Sequence, residues 1–171
     1  MTGVDGYLLD TCIISYWYDE RRKQHPHVVA RIETLPDETP LRISSITLGE
    51  VEYGHRAESP TMDTPVQVVY REFIANRLPN ALNISRGTAF YYGRIRARLF
   101  EKFIGKRKRK HLRPEQATDP VTGKELGIDE NDLWIAAQAA ERNLVLVTSD
   151  AMHHIRAIVG DLLRIENWAI P

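Results

Sequence analysis

Residues 144–149, Leu-Val-Leu-Val-Thr-Ser, make an apolar run with no polar residue until Thr148, and it stops at an acid, Asp150. A half-buried strand alternates apolar and polar residues, whereas a strand covered on both faces does not, so this run belongs inside a parallel sheet layered by helices. The same punctuation recurs. Tyr7-Leu8-Leu9 ends at Asp10, and the run at 41–46, Leu-Arg-Ile-Ser-Ser-Ile, ends at Thr47 with Glu50 close behind. Weaker strand patterns lie at 81–85 and 162–167, and helical periodicity marks 11–19, 47–57, about 65–78, 87–104 and 130–142. Strands that alternate with helices call for an α/β fold with a central parallel sheet, right-handed crossovers and helices on both faces, an α/β/α sandwich.

A chain of 171 residues, 43% of them hydrophobic, suffices for one packed core, so a single domain over 1–171 is expected. The stretch 105–127 interrupts it: charge, Pro and Gly without a hydrophobic period read as a long excursion between two helices. No apolar run approaches the ~18 residues of a membrane span, and the first ten residues lack a basic stretch leading into an apolar one, so a soluble, cytoplasmic protein is expected. The one cysteine, Cys12, excludes an internal disulfide and a Cys-based zinc site, and reads as a small buried side chain. Net charge is zero but unevenly spread: from Arg94 to Arg113 ten Lys and Arg face one acid, leaving the rest of the chain at −9. Segregation of that kind fits an acidic pocket beside a basic flank.

In an open parallel sheet, ligands bind beyond the carboxyl ends of the strands. Asp10 and Asp150 stand at two such ends, Glu50 in the first turn of the helix after another, and Asp132 at the start of the helix that feeds the last. Each has an ordinary explanation. Asp10 and Asp150 read as helix N-caps, Glu50 as a solvated helix acid, and Asp132 as a first-turn acid favoured by the macrodipole, with Asp129 and Asp132 as a possible capping box. Asp132, however, shares a helical stripe with Ile135, Ala136 and Ala139, the face that turns to a core. Four acids on one edge repel one another unless a cation neutralises them. Oxygen-only ligands select Mg²⁺ or Mn²⁺ over zinc, and such a metal suits in-line attack of water on a phosphodiester. The basic residues Lys106, Arg107, Lys108, Arg109, Lys110 and Arg113 then either grip a nucleic-acid backbone or form a solvated loop.

The stretches "LLDTCIISYW", "ISSITLGEVEYG" and "IDENDLWIAAQAAERNLVLVTSD" resemble the three signature blocks of PIN-domain proteins, and within them the VapC-like toxin ribonucleases of bacterial toxin–antitoxin pairs. The resemblance runs from Tyr7 to about Trp168 and implies a PIN-like domain whose acidic quartet is Asp10, Glu50, Asp132 and Asp150. It implies that Asp10 and Asp132 contact Mg²⁺ most directly, that Glu50 and Asp150 help position or activate water, and that Thr11 and Thr148 support them. It implies endonucleolytic cleavage of RNA, a dimer-based assembly, and an antitoxin whose C-terminal segment lies across the active-site groove. Three departures stand out: Cys12 where Asn is common, the long basic excursion, and "AMHHI" after Asp150, whose His153 and His154 read as ordinary helix residues, with RNA contact as the alternative. Rival readings are a PIN-fold nuclease acting on DNA, and a non-catalytic module that binds nucleic acid through the basic run. A phosphotransferase of aspartyl-phosphate type fits poorly, since it requires an Asp where Cys12 stands.

Overall fold

The computed structural model describes residues 3–104, 112–119 and 121–171. Lys106, Arg107, Lys108, Arg109 and Lys110, the bulk of the expected nucleic-acid contacts, lie outside the described residues. The elements follow in the order β1 (Tyr7–Leu9), α1 (Thr11–Tyr18), α2 (His25–Glu33), β2 (Leu41–Ser44), α3 (Ser45–Glu58), α4 (Pro65–Arg77), β3 (Ala81–Leu82), α5 (Arg86–Phe103), a 3₁₀ turn (Pro114–Gln116), α6 (Glu130–Glu141), β4 (Val145–Val147), α7 (His153–Val159) and β5 (Arg164–Glu166).

All five strands pair in parallel in the order β3-β2-β1-β4-β5, with Leu9 in register with both Ile43 and Val147. Central β1 and β4 are sealed on both faces, as their unbroken apolar sequence requires: Leu8, Leu9, Val145, Leu146 and Val147 are fully buried. Leu8 and Leu146 face a core built with α5, α6 and α7. Leu9, Ile43, Val145 and Val147 face the opposite core, which Ile13, Val28 and Ile74 complete from α1, α2 and α4. The result is the α/β/α arrangement that the alternation of strands and helices calls for. The chain moves from β1 outward to β2 and β3, then returns to the other side for β4 and β5, so its switch point lies between β1 and β4. There the loops leaving the carboxyl ends diverge and open a crevice.

Three local differences from the sequence expectation bear on the site. Helix α3 begins at Ser45, directly after β2, because the Ser44 hydroxyl accepts from the Ile46 N–H and caps it. Glu50 therefore lies in the second helical turn, not the first. Helix α2 has no counterpart in the expectation: it starts His-Pro-His and buries only Val28 fully, too little for a visible period. The excursion is not wholly detached either. Ala117 and Leu126 are buried against the α5–α7 core, and Leu126 N–H donates to the Ala117 carbonyl at 2.8 Å beside an antiparallel bridge from Thr118 to Glu125.

Candidate active site

β1 ends at Leu9, and the Asp10 N–H donates to the Val147 carbonyl at 3.0 Å, so the two central strand ends hold this residue at the switch point. Asp10 Oδ1 accepts from the Thr11 N–H at 2.8 Å as the N-cap of α1. Its other oxygen accepts from the Thr148 hydroxyl at 2.7 Å, just past β4. Capping and facing the cleft are thus done by one carboxylate, and the two sequence readings of Asp10 are not exclusive. Burial pushes the Asp10 carboxyl above the ordinary carboxylate value, against the lowering effect of Thr148 and Thr11, with Glu50 and Asp150 adding to the rise.

Glu50 reaches the same place from α3. Its two oxygens accept from the Thr11 hydroxyl and, at 2.8 Å, from the Asn131 side-chain amide, which ties α1, α3 and α6 together. Asp150 is not a helix cap: α7 begins three residues later, behind Met152, and the Asp150 N–H donates instead to the Thr148 hydroxyl at 3.0 Å. The N-cap of α6 is Asp129, which accepts from the Asn131 N–H at 2.7 Å. Asp132 is half-buried, and its carboxyl is pushed up to about 7, first by burial and then by the neighbouring charges of Asp10, Asp129, Asp150 and Glu50. The macrodipole should lower that value. Repulsion and burial prevail.

All four acids line one open cleft of about 560 Å³. Among the described residues the tightest donor set there is Asp10, Cys12 and Asp150, whose ligand atoms lie within 4.8 Å of one another. Cys12 is accordingly not the buried filler expected from sequence. It is half-buried on the cleft wall, with Sγ 3.6 Å from both Asp10 Oδ2 and Thr148 Oγ1. Burial, with Asp10 next, pushes its thiol up, and sulfur is in any case a soft donor, a poor partner for a hard cation. The carboxylate oxygens around it suit Mg²⁺ or Mn²⁺, and the repulsion that adds to burial in raising Asp10 and Asp132 is what such a cation would relieve.

Further cleft residues carry no signal in the sequence. Asp129 and Tyr16 line it, and so does Arg22, the one cation on its wall among the described residues, from the α1–α2 connection. Arg21 is engaged by Asp19 through both oxygens, at 2.8 and 3.1 Å, whereas Arg22 lies 3.5 Å from the same carboxylate and keeps more than half of its side chain exposed. The run Asp-Glu-Arg-Arg at 19–22 marks a turn, but nothing local points one guanidinium at the acids. Much of the basic stretch is committed elsewhere: Arg98 pairs with Asp161, Arg96 donates to the Tyr92 hydroxyl and the Leu112 carbonyl, and Lys102 donates to the Ala157 carbonyl. Arg113 is exposed.

Residues 7–158 match the model of the PIN domain family. Ribonuclease VapC2 of Rickettsia felis is 26% identical over 162 residues, which cover 95% of this chain and 97% of that protein. The crystal structure of VapBC2 from Rickettsia felis bound to a DNA fragment from their promoter contains a chain similar at a TM-score of 0.66 and 26% identity, covering 95% of this chain and 98% of that one. In VapBC-1 from nontypeable Haemophilus influenzae the corresponding values are 0.64 and 25%, over 96% and 98% of the two chains.

Proposed function

This chain belongs to the PIN domain family, and from that premise we propose that it is a divalent-metal-dependent endoribonuclease, the toxin of a toxin–antitoxin pair, cutting RNA at the cleft of Asp10, Glu50, Asp132 and Asp150. The observation that carries the reading is the convergence of four carboxylates from four separate elements on one cleft, one of them driven up to about 7 by burial and then by the surrounding acids. A fold does not gather mutually repelling acids for stability. The 26% identity to Ribonuclease VapC2 over nearly the whole chain supports the same class.

In this mechanism Asp10 and Asp132, with Asp150 in reach, would hold Mg²⁺ or Mn²⁺, which when bound would supply positive charge at the scissile phosphate and lower the pKa of nearby water. Thr148 fixes the Asp10 carboxylate, while Thr11 and Asn131 fix both oxygens of Glu50, so the acids are oriented before substrate arrives. Glu50 and Asp150 orient the attacking water and take up its proton. Arg22, which lines the same cleft, meets the phosphodiester, and the basic run around Lys106–Lys110 and Arg113 holds the flanking backbone.

The protein works in the cytoplasm in this proposal; no helix among the described residues is long and apolar enough to cross a membrane. In this proposal an antitoxin lies across the cleft and restrains activity in a dimer-based complex, a partnership supported by the similarity to chains of VapBC2 and VapBC-1. An apolar groove of about 490 Å³ between α3 and α4, with exposed Leu48 on its wall, offers surface that a protein partner would cover. The test is direct. Protein freed of antitoxin should cut RNA in Mg²⁺ or Mn²⁺ and stop when the metal is chelated, with matched DNA oligonucleotides left intact. Cleavage that continues in excess chelator would defeat the metal mechanism, and cutting of the DNA alone would change the substrate.

A further inference from the structure

A second cleft, of about 360 Å³, opens off the acid cleft and shares Asp132 and Asp150 with it. Its remaining wall is of a different kind: Ile128 from the loop before α6, and Met152, His153 and His154 from the turn into α7. We propose that this cleft seats the nucleotide next to the scissile phosphate, with the His153 imidazole and the Met152 side chain taking the base. The proposal rests on the ribonuclease reading above and adds to it a site for base preference.

Continuity comes first. A strand whose phosphate lies at Asp10 and Asp132 must carry its neighbouring nucleotide away along an open path, and the shared acids make the second cleft such a path. Charge decides which part of that nucleotide enters. Asp132 and Asp150 on the rim disfavour a second phosphate and tolerate a neutral base. The walls fit a base as well: single-stranded RNA is read by flat or apolar side chains against the ring face with a polar group at its edge. Ile128 and Met152 supply apolar surface, and exposed His153 supplies both a ring and a hydrogen-bonding edge.

The wall is held in place rather than loose. Met152 has φ 40 and ψ 38, a left-handed conformation uncommon for a side chain of its size. Arg156 braces it: its Nε donates to the Ala151 carbonyl at 3.0 Å, its guanidinium also donates to the Ile165 carbonyl at 3.0 Å, and its N–H donates to the Met152 carbonyl at 2.8 Å. His154 is used differently, its ring packed edge-on against Phe103 with centroids 4.7 Å apart, which leaves His153 as the exposed imidazole.

The experiment compares the full-length wild type with His153→Ala and Met152→Ala on a pool of randomised oligoribonucleotides in Mn²⁺, mapping cut ends by sequencing and measuring KM on one preferred oligonucleotide. Wild type should show a base preference at a position adjacent to the cut. His153→Ala should erase it and raise KM about fivefold or more, the lower end of what losing one base–aromatic stack does. Met152→Ala should weaken the same position and no other. Melting in Mn²⁺ should shift as in wild type for both variants, because neither side chain holds metal. An unchanged cut-site distribution and KM in both variants overturns the proposal, as does a wild type indifferent to the adjacent base, or an altered Mn²⁺ shift, which would assign the effect to the acid cleft. A wild type that cuts no RNA at all removes the ribonuclease reading, and the subsite with it.

Discussion

Helix α6 carries a carboxylate near each end, and the two are treated in opposite ways. Glu141 sits in the last turn, where the helix dipole disfavours an anion, yet its carboxyl lies below the ordinary value. Burial acts to raise it. The Ser85 and Thr88 hydroxyls and the Arg142 guanidinium, all donating to it, outweigh that. Ser85 and Thr88 also form the capping box of α5, so Glu141 locks the start of one helix to the end of another, and a Cβ at Gly87 would meet the Glu141 carboxylate. Asp132 sits in the first turn, where the dipole favours an anion, and is pushed up to about 7. A dipole worth ~0.3–1 kcal/mol loses in both places: at Glu141 to charge-assisted hydrogen bonds of about 1.5–3 kcal/mol each, and at Asp132 to burial and then the surrounding acids. Glu141 is surrounded by donors from two helices, whereas Asp132 is surrounded by other acids.

The sharpest way to break this comparison is to neutralise both ends. Asp132→Asn should lower cleavage by about a hundredfold or more, since a catalytic metal contributes several kcal/mol and each ~1.4 kcal/mol is a factor of ten. The same variant without metal should melt at the wild-type temperature or above it, while added Mn²⁺ stabilises it less. A variant that is less stable yet still cuts at the wild-type rate would return Asp132 to the role of helix acid.

Glu141→Ala should do the reverse. Two hydroxyls and a guanidinium lose their acceptor, costing on the order of 2–3 kcal/mol in urea unfolding, while folded protein cuts at the wild-type rate. Loss of cutting at full stability would contradict the division.

Acid titration of the metal-free protein provides a third, smaller contrast. Asp132 binds its proton with a folded value of about 7 against an ordinary aspartate value of 3.8, so between those limits the folded state holds a proton that the unfolded chain has released. Its contribution therefore favours folding fully below about 4 and is lost as pH rises toward 7, by ~1–2 kcal/mol after allowance for solvent screening. Glu141 has the opposite sign: its contribution is present above the unfolded value of 4.5 and is lost as pH falls through the lowered folded one. Asp132→Asn should flatten the slope between pH 4 and 7, and Glu141→Gln the loss on the acid side. Parallel curves for the two variants would erase the distinction.

Arg22→Gln is expected to have the smallest effect. An exposed guanidinium on the cleft wall should contribute about tenfold or less to kcat/KM, with stability within ~0.5 kcal/mol of wild type. A larger loss of stability would mean that Arg22 braces the α1–α2 turn through Asp19 instead of serving the cleft.

Periodicity and punctuation are properties of a few consecutive residues, which is why the five strands, the longer helices, the parallel sheet and the positions of Asp10, Glu50, Asp132 and Asp150 at its carboxyl edge could all be read from the chain itself. Helix α2 escaped because it buries a single residue fully, and the start of α3 because Ser44 serves as both strand end and cap. What each acid does, by contrast, depends on partners distant in sequence: Thr148 lies 138 residues from Asp10, and Asn131 lies 81 from Glu50. No local pattern specifies that Cys12 and Arg22 line the acid cleft, that Asp150 caps nothing, or that His153 faces a second cleft beside it. Residue identity and local period belong to the sequence, whereas pairing, burial and pKa arise from distances that exist only once the sheet has brought its strand ends together.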